Sequence, residues 1–216
     1  MRRLSRSLPA VVLLALASAP ASAQTDAWKN QWYWGAQAGA FVYKTATSDF
    51  RRAFSYGGHW FITANRVGLL LSFDQLSFRT GTTSAISDFS GVRTVAFTAG
   101  RVIGGELVAM PTIGDLILMG GFGVNITQIT NAVAGGSFSS SAEEALVAQL
   151  VEDAASKALM QISAGVQYNY QRWGVFAKYT LLTQGRDFLI TSEQHSLSGG
   201  IRYAITASSE AVDTAR

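Results

Sequence analysis

His195–Thr206 reads HSLSGGIRYAIT. Taken with a period of two, Leu197, Gly199, Ile201, Tyr203 and Ile205 share one face. Ser196, Ser198, Gly200, Arg202, Ala204 and Thr206 share the other. This alternation is that of a strand with one apolar and one polar side.

The same period recurs upstream. Trp32–Tyr43, Ala53–Thr63, Val67–Phe78, Val92–Val102, Asp115–Thr130, Ala158–Tyr170 and Trp173–Thr183 all alternate, which predicts seven more strands. Ala64-Asn65-Arg66 and Gln171-Arg172 read as tight turns. Lys44–Arg52, Arg79–Gly91 and Gln184–Gln194 read as polar loops, and Ile103–Gly114 as an awkward connection holding Pro111.

Two segments stand outside this pattern. Residues 1–23 carry Arg2, Arg3 and Arg6, then the apolar run Val11–Ala17, then Ala21-Ser22-Ala23. That is a secretory signal peptide with a small-residue cleavage site, expected to leave Gln24 as the first residue. The chain has 17 Lys+Arg and 14 Asp+Glu. The three signal arginines are its whole cationic excess, so the remainder is neutral and offers no electrostatic footprint for nucleic acid. Cysteine is absent, which excludes disulfides and thiolate metal sites.

Charged residues are 14% of the chain, against ~25% in soluble domains. Yet no stretch after the signal offers the ~20 apolar residues of a spanning helix. An exported, apolar, strand-patterned chain points to the other backbone arrangement that lipid permits, a closed barrel. With an even strand count, both ends of residues 24–208 lie on one side. The shorter turns then fall on that side and the longer loops on the other, as in outer-membrane barrels.

Aromatic residues sort the same way. Trp28, Trp32, Trp34, Trp60, Tyr168, Tyr170, Trp173 and Tyr203 fall toward the periplasmic end. Tyr43, Phe50, Phe54, Tyr56, Phe78, Phe89 and Phe188 fall toward the external end. The expected fold is all-β, an eight-stranded antiparallel transmembrane β-barrel with one helical insertion in an external loop. Residues 209–216 are expected to form a periplasmic tail.

With these features, the chain from residue 24 resembles the small eight-stranded outer-membrane barrels of the OmpA/OmpX/OmpW type. The resemblance rests on architecture and on Ser198-Gly199-Gly200-Ile201-Arg202-Tyr203-Ala204-Ile205. That stretch is similar to their C-terminal assembly signal, carried here by Ser198, Gly200, Tyr203 and Ile205. The family signal commonly ends the chain on Phe, whereas here it ends on Ile205 and a tail follows. The resemblance implies outer-membrane lipid and the barrel assembly machinery as partners, with no cofactor.

Strand parity assigns an interior. Gln37, His59, Asp74, Asn125, Gln161, Gln167, Asn169, Lys178 and Arg202 are expected to point inward. An eight-stranded barrel is just filled by its own side chains, and buried charges there must pair. The expected arrangement pairs Asp74 with Lys178 and Arg202 as an ion-paired plug. A narrow polar pathway is the alternative.

Gly135–Ser141 is rich in Gly and Ser, and Ser141-Ala142-Glu143-Glu144 is a capping box. Leu146, Val147, Leu150, Val151, Ala154 and Ala155 then recur at helical spacing. A helix over residues 141–158, between strands five and six, is predicted to cover the barrel mouth. A partner-binding surface is its second reading.

Catalysis finds little support. Some small outer-membrane barrels act on lipid A acyl chains through Ser, His and an acid. Only His59 and His195 are available as bases. Adjacent His195 and Ser196 point to opposite faces of a strand and cannot form a dyad, although Glu193 shares the His195 face. No phosphate loop and no metal-ligand spacing is present. The expectation is an integral, non-enzymatic outer-membrane barrel with a structural or surface-interaction role. A narrow solute channel and a secreted, soluble ligand-binding barrel are the alternatives.

Overall fold

The computed structural model describes residues 30–89 and 91–207, except the side chains of 206 and 207. The expected signal peptide, Trp28 and the tail 209–216 lie outside the described residues.

Twelve strands and one helix are present among the described residues. The long strands are β1 (Gln31–Thr45), β2 (Ser48–Ala64), β3 (Val67–Ser77), β6 (Ala99–Ala109), β8 (Leu116–Thr130), β10 (Ser156–Tyr170), β11 (Trp173–Leu182) and β12 (Gln194–Ala207). They pair antiparallel in chain order. β12 returns to β1, from Gln31 against Ala207 to Val42 against His195, so the sheet has no free edge. The result is a closed eight-stranded antiparallel barrel. Closure satisfies every ladder without water, which a wall in contact with lipid requires.

The other strands, β4 (Thr83–Asp88), β5 (Gly91–Ala96) and β9 (Val133–Ala134), form a small separate sheet above one end. The short β7 (Thr112–Ile113) folds back on β8 at the opposite end. The helix α1 (Ser141–Ala155) lies between β9 and β10, hence between the fifth and sixth barrel strands.

Parity decides which side chains face in. On β12 the outward set is Leu197, Ile201, Tyr203 and Ile205, while Ser198, Arg202 and Ala204 are buried. Around the wall, Leu71, Phe73, Leu107, Phe122, Val124, Met160, Ile162 and Val175 are exposed. One row of aromatics runs across four adjacent strands, with Trp60 against Trp34, Trp34 against Tyr203, and Tyr203 against Trp173. Their rings touch, Trp34 stacking on Trp60 at 5.9 Å and Trp173 tilting over Tyr203 at 4.9 Å. This row lies at the end carrying both ends of the barrel and the turns at Asn65 and Gln171. Both turn residues take positive φ, near 56° and 53°, as tight hairpins demand.

Five expectations are corrected. The fourth strand is Ala99–Ala109, not Val92–Val102. The alternation of residues 92–96 belongs to β5, and the chain leaves strand geometry at Phe97 and Thr98 before entering the barrel. Residues 103–109 are wall rather than connection, and the turn is confined to 110–115. The expected loop Lys44–Arg52 is a two-residue turn at Ala46 and Thr47, because β1 and β2 continue past the apolar band. Of the expected external girdle, Tyr43, Phe78 and Phe188 point inward as part of a packed core, whereas Phe50, Phe54, Tyr56 and Phe89 are exposed. The helix ends at Ala155, and residues 156–158 already belong to β10.

Candidate functional site: the barrel interior and its helical cap

The barrel interior is layered. At the end bearing the turns, Tyr33, Phe61, Leu70, Val108, Met110, Met119, Phe176 and Ala204 pack together. Arg202 is buried within this layer, its guanidinium carbon 4.6 Å from the Phe61 ring centre and 4.2 Å from that of Phe176. Two ring faces thus hold the cation, a contact that strengthens when water is excluded. His59 sits edge-on to Phe176 at 5.1 Å, in space left by Gly35, where any Cβ would meet its ring. Among the described residues, neither ring nitrogen of His59 has a hydrogen-bond partner.

The middle layer is polar. Gln37 donates through Nε2 to both Asp74 carboxylate oxygens, at 2.8 and 2.7 Å. Lys178 Nζ lies 3.1 Å from Glu106 Oε2. Ser163 donates to the other Glu106 oxygen, and Gln161 donates to Oε2 at 3.4 Å. Asn125 donates to Gln161 Oε1 at 3.4 Å. Nearer the base, Gln167 donates to Asn169 at 2.6 Å. Gly121 makes room for the Glu106 carboxylate, since a Cβ there would overlap it. The space left among Gln37, Asp74, Asn125, Gln161, Lys178 and Ser198 is about 30 Å³. That is room for a water or two.

The inward set expected from the sequence is therefore placed on the inner wall, with Asp74 half-buried there. The pairing differs. Lys178 takes Glu106, which sequence reasoning missed because its strand was read as a connection. Asp74 takes Gln37, and Arg202 takes aromatic faces in place of a carboxylate. A charge count held the missing signal. Lys178 and Arg202 make two inward cations against Asp74 alone, and extending the fourth strand in phase from Gly100 through Val102 and Gly104 puts Glu106 inward.

The outer end is closed by a second apolar layer. Phe41, Tyr43, Leu76, Phe78, Val95, Phe97, Leu182, Leu189 and Ile190 pack there against Val147, Val151 and Ala155 of α1. These helix residues lie four apart, one stripe turned toward the mouth. The helix N-terminus is fixed from two directions. Ser140, one residue before the expected cap Ser141, accepts from the Glu143 amide at 3.2 Å, while Glu143 accepts from the Ser139 amide at 2.7 Å. Arg93 of β5 binds Glu143 at 2.5 Å, binds Asp88, and lies 4.7 Å from the Phe138 ring centre. The bond to Asp88 is the largest cause of an Arg93 pKa held above its ordinary value. The chain between β11 and β12 straps the cap, Leu189 donating to the Ala154 carbonyl at 3.0 Å and Ser84 to the Leu189 carbonyl at 2.6 Å.

His195 lies on the outer wall, where its Nδ1 meets the Tyr179 hydroxyl at 2.6 Å, while Ser196 lines the interior. The two are on opposite sides of the sheet. Among the described residues no group of three or more His, Cys, Asp and Glu is placed to hold a metal ion.

No family model matches the chain, and neither does any curated protein. Solved structures do. The crystal structure of Neisserial surface protein A is similar over 81% of this chain and 97% of its own, with 13% identity and a TM-score of 0.54. The outer membrane protein OprG from Pseudomonas aeruginosa is similar over 83% and 98%, with 11% identity and a TM-score of 0.46. Ail, the attachment invasion locus protein of Yersinia pestis, solved with a heparin analogue, covers 81% and 99% at 12% identity and 0.41. The first gives the fold, that of the small eight-stranded outer-membrane barrels.

Proposed function

We propose that this chain is an integral protein of the bacterial outer membrane whose barrel is a sealed anchor, non-enzymatic, and whose capped outer end serves surface interaction. One observation carries the reading: the wall is apolar where it is exposed, and the middle of its buried face is polar. Leu71, Phe122, Ile162, Val175 and Ile201 lie on the outside, and Lys178, Glu106, Gln161 and Gln37 on the inside. Soluble proteins rarely expose continuous apolar surface beyond a few hundred Å², whereas a spanning barrel needs an outward apolar band ~25 Å tall. The aromatic row from Trp60 to Trp173 supports an interface at the end that bears the turns.

A sealed anchor, as against a channel, is supported by two apolar layers enclosing a small polar space. A non-catalytic role is supported by the opposed faces of His195 and Ser196. Outer-membrane lipid and the assembly machinery are the partners in this reading, the latter recognising Ser198, Gly200, Tyr203 and Ile205 on β12.

Reconstitution in planar bilayers tests it. The chain should run faster unboiled than boiled on a denaturing gel, and the bilayers should show no conductance steps. Identical migration sinks the membrane barrel; regular conductance steps sink the sealed anchor and favour the channel.

A further inference from the structure

The helix carries more apolar surface than the mouth uses. Val147, Val151 and Ala155 fill the mouth. Leu150, on the neighbouring row, instead lines a cleft of about 480 Å³. Ile86 of β4 and Phe188 of the strap line it too. Small-molecule sites commonly span ~300–1,000 Å³ and are largely pre-formed. This one is framed without a ligand, because Ser84 and Ala154 both bond the strap at Leu189.

The polar part of the lining is biased. Asp153 and Asp187 supply two carboxylates and Lys157 one ammonium. None of them takes part in the ion pairs found among the described residues. Here, too, α1 ends, with no basic residue in its last turn. Its carbonyl end adds partial negative charge to the two carboxylates. An anion would meet net repulsion, whereas a cationic guest gains attraction from both exposed carboxylates that a purely apolar guest lacks.

We infer that this outer cleft binds a small organic cation, an apolar body bearing one primary ammonium group. The ammonium lies between Asp153 and Asp187, and the apolar body rests on Ile86, Leu150 and Phe188. The inference rests on the reading that this end of the barrel faces the outer medium.

The test uses the full chain in nanodiscs of zwitterionic lipid, with methyl-labelled isoleucine and leucine. Three probes share one apolar body: 2-phenylethylamine, 2-phenylethanol and phenylacetate. The amine should shift the Ile86 and Leu150 methyls to saturation, and the alcohol should bind more weakly. In the double variant Asp153→Asn with Asp187→Asn, amine affinity should fall about fivefold or more, the loss expected of partly exposed charge pairs. Equal shifts for all three probes, tighter binding of phenylacetate, or undiminished amine affinity in the double variant would overturn the assignment. Ile162 and Ile201 separate the two levels of the reading. If their methyls show no contact with lipid chains, the membrane barrel itself fails. If they do and Ile86 does not respond, only the cleft assignment fails.

Discussion

Glu106 and Lys178 form an ion pair in the barrel interior, with Ser163 and Gln161 also bonded to the carboxylate. Breaking such a pair leaves an uncompensated charge, a loss of ~3–5 kcal/mol. Glu106→Ala should therefore lower the urea midpoint of the vesicle-inserted protein sharply. Glu106→Leu combined with Lys178→Met should restore most of it, because apolar side chains of similar volume dispense with desolvation. Gly121→Ala should cost ~1–3 kcal/mol in the same assay, since its Cβ would displace the Glu106 carboxylate. At this scale parity made most of the interior legible. Gln37, His59, Gln161, Gln167, Lys178 and Arg202 are buried on the face that their strands' alternation assigns. Pairing was not legible, because a partner across the barrel is set by stagger and depth rather than by spacing along one strand. Arg202 illustrates this, resting between Phe61 and Phe176 instead of on Asp74.

Among the elements, α1 is held at its N-terminus by a serine cap and by Arg93. Ser140→Ala should cost ~1 kcal/mol of local stability, seen as faster amide exchange along α1, while Ser141→Ala should change little. Arg93→Ala should speed exchange in α1 and β5 together and leave β10–β12 amides unchanged, because it removes the bonds to Asp88 and Glu143 but touches no wall strand. Long, regularly alternating strands such as β10 and β12 were plain in the sequence. The fourth strand was not. Residues 92–102 keep a strand-like alternation across two different sheets, and Gly104-Gly105-Glu106 looks like a turn when it is in fact thin wall beside an inward acid. The cap was displaced by one residue within Ser139-Ser140-Ser141, three residues of equal capping power, where the choice falls to tertiary contacts of Glu143.

For the whole molecule, the proposed sealing rests on apolar packing at both ends rather than on either layer alone. Replacing residues 137–155 by a short linker removes the α1 side of the outer layer but leaves Tyr33, Phe61, Phe176 and Arg202 packed across the other end. That variant should still give no conductance in planar bilayers, whereas a barrel gated by its helix alone would open. Inside and outside can be separated by single cysteines, because the chain has none of its own. Ile162→Cys lies on the outer wall, and Ser198→Cys on the inner cavity. In lipid vesicles, a charged, water-soluble thiol reagent should modify neither position, a lipid-soluble maleimide should modify only residue 162, and both positions should react fully after unfolding in urea. Rapid modification of residue 162 by the charged reagent would mean that the wall faces water, and rapid modification of residue 198 would mean that the barrel is open.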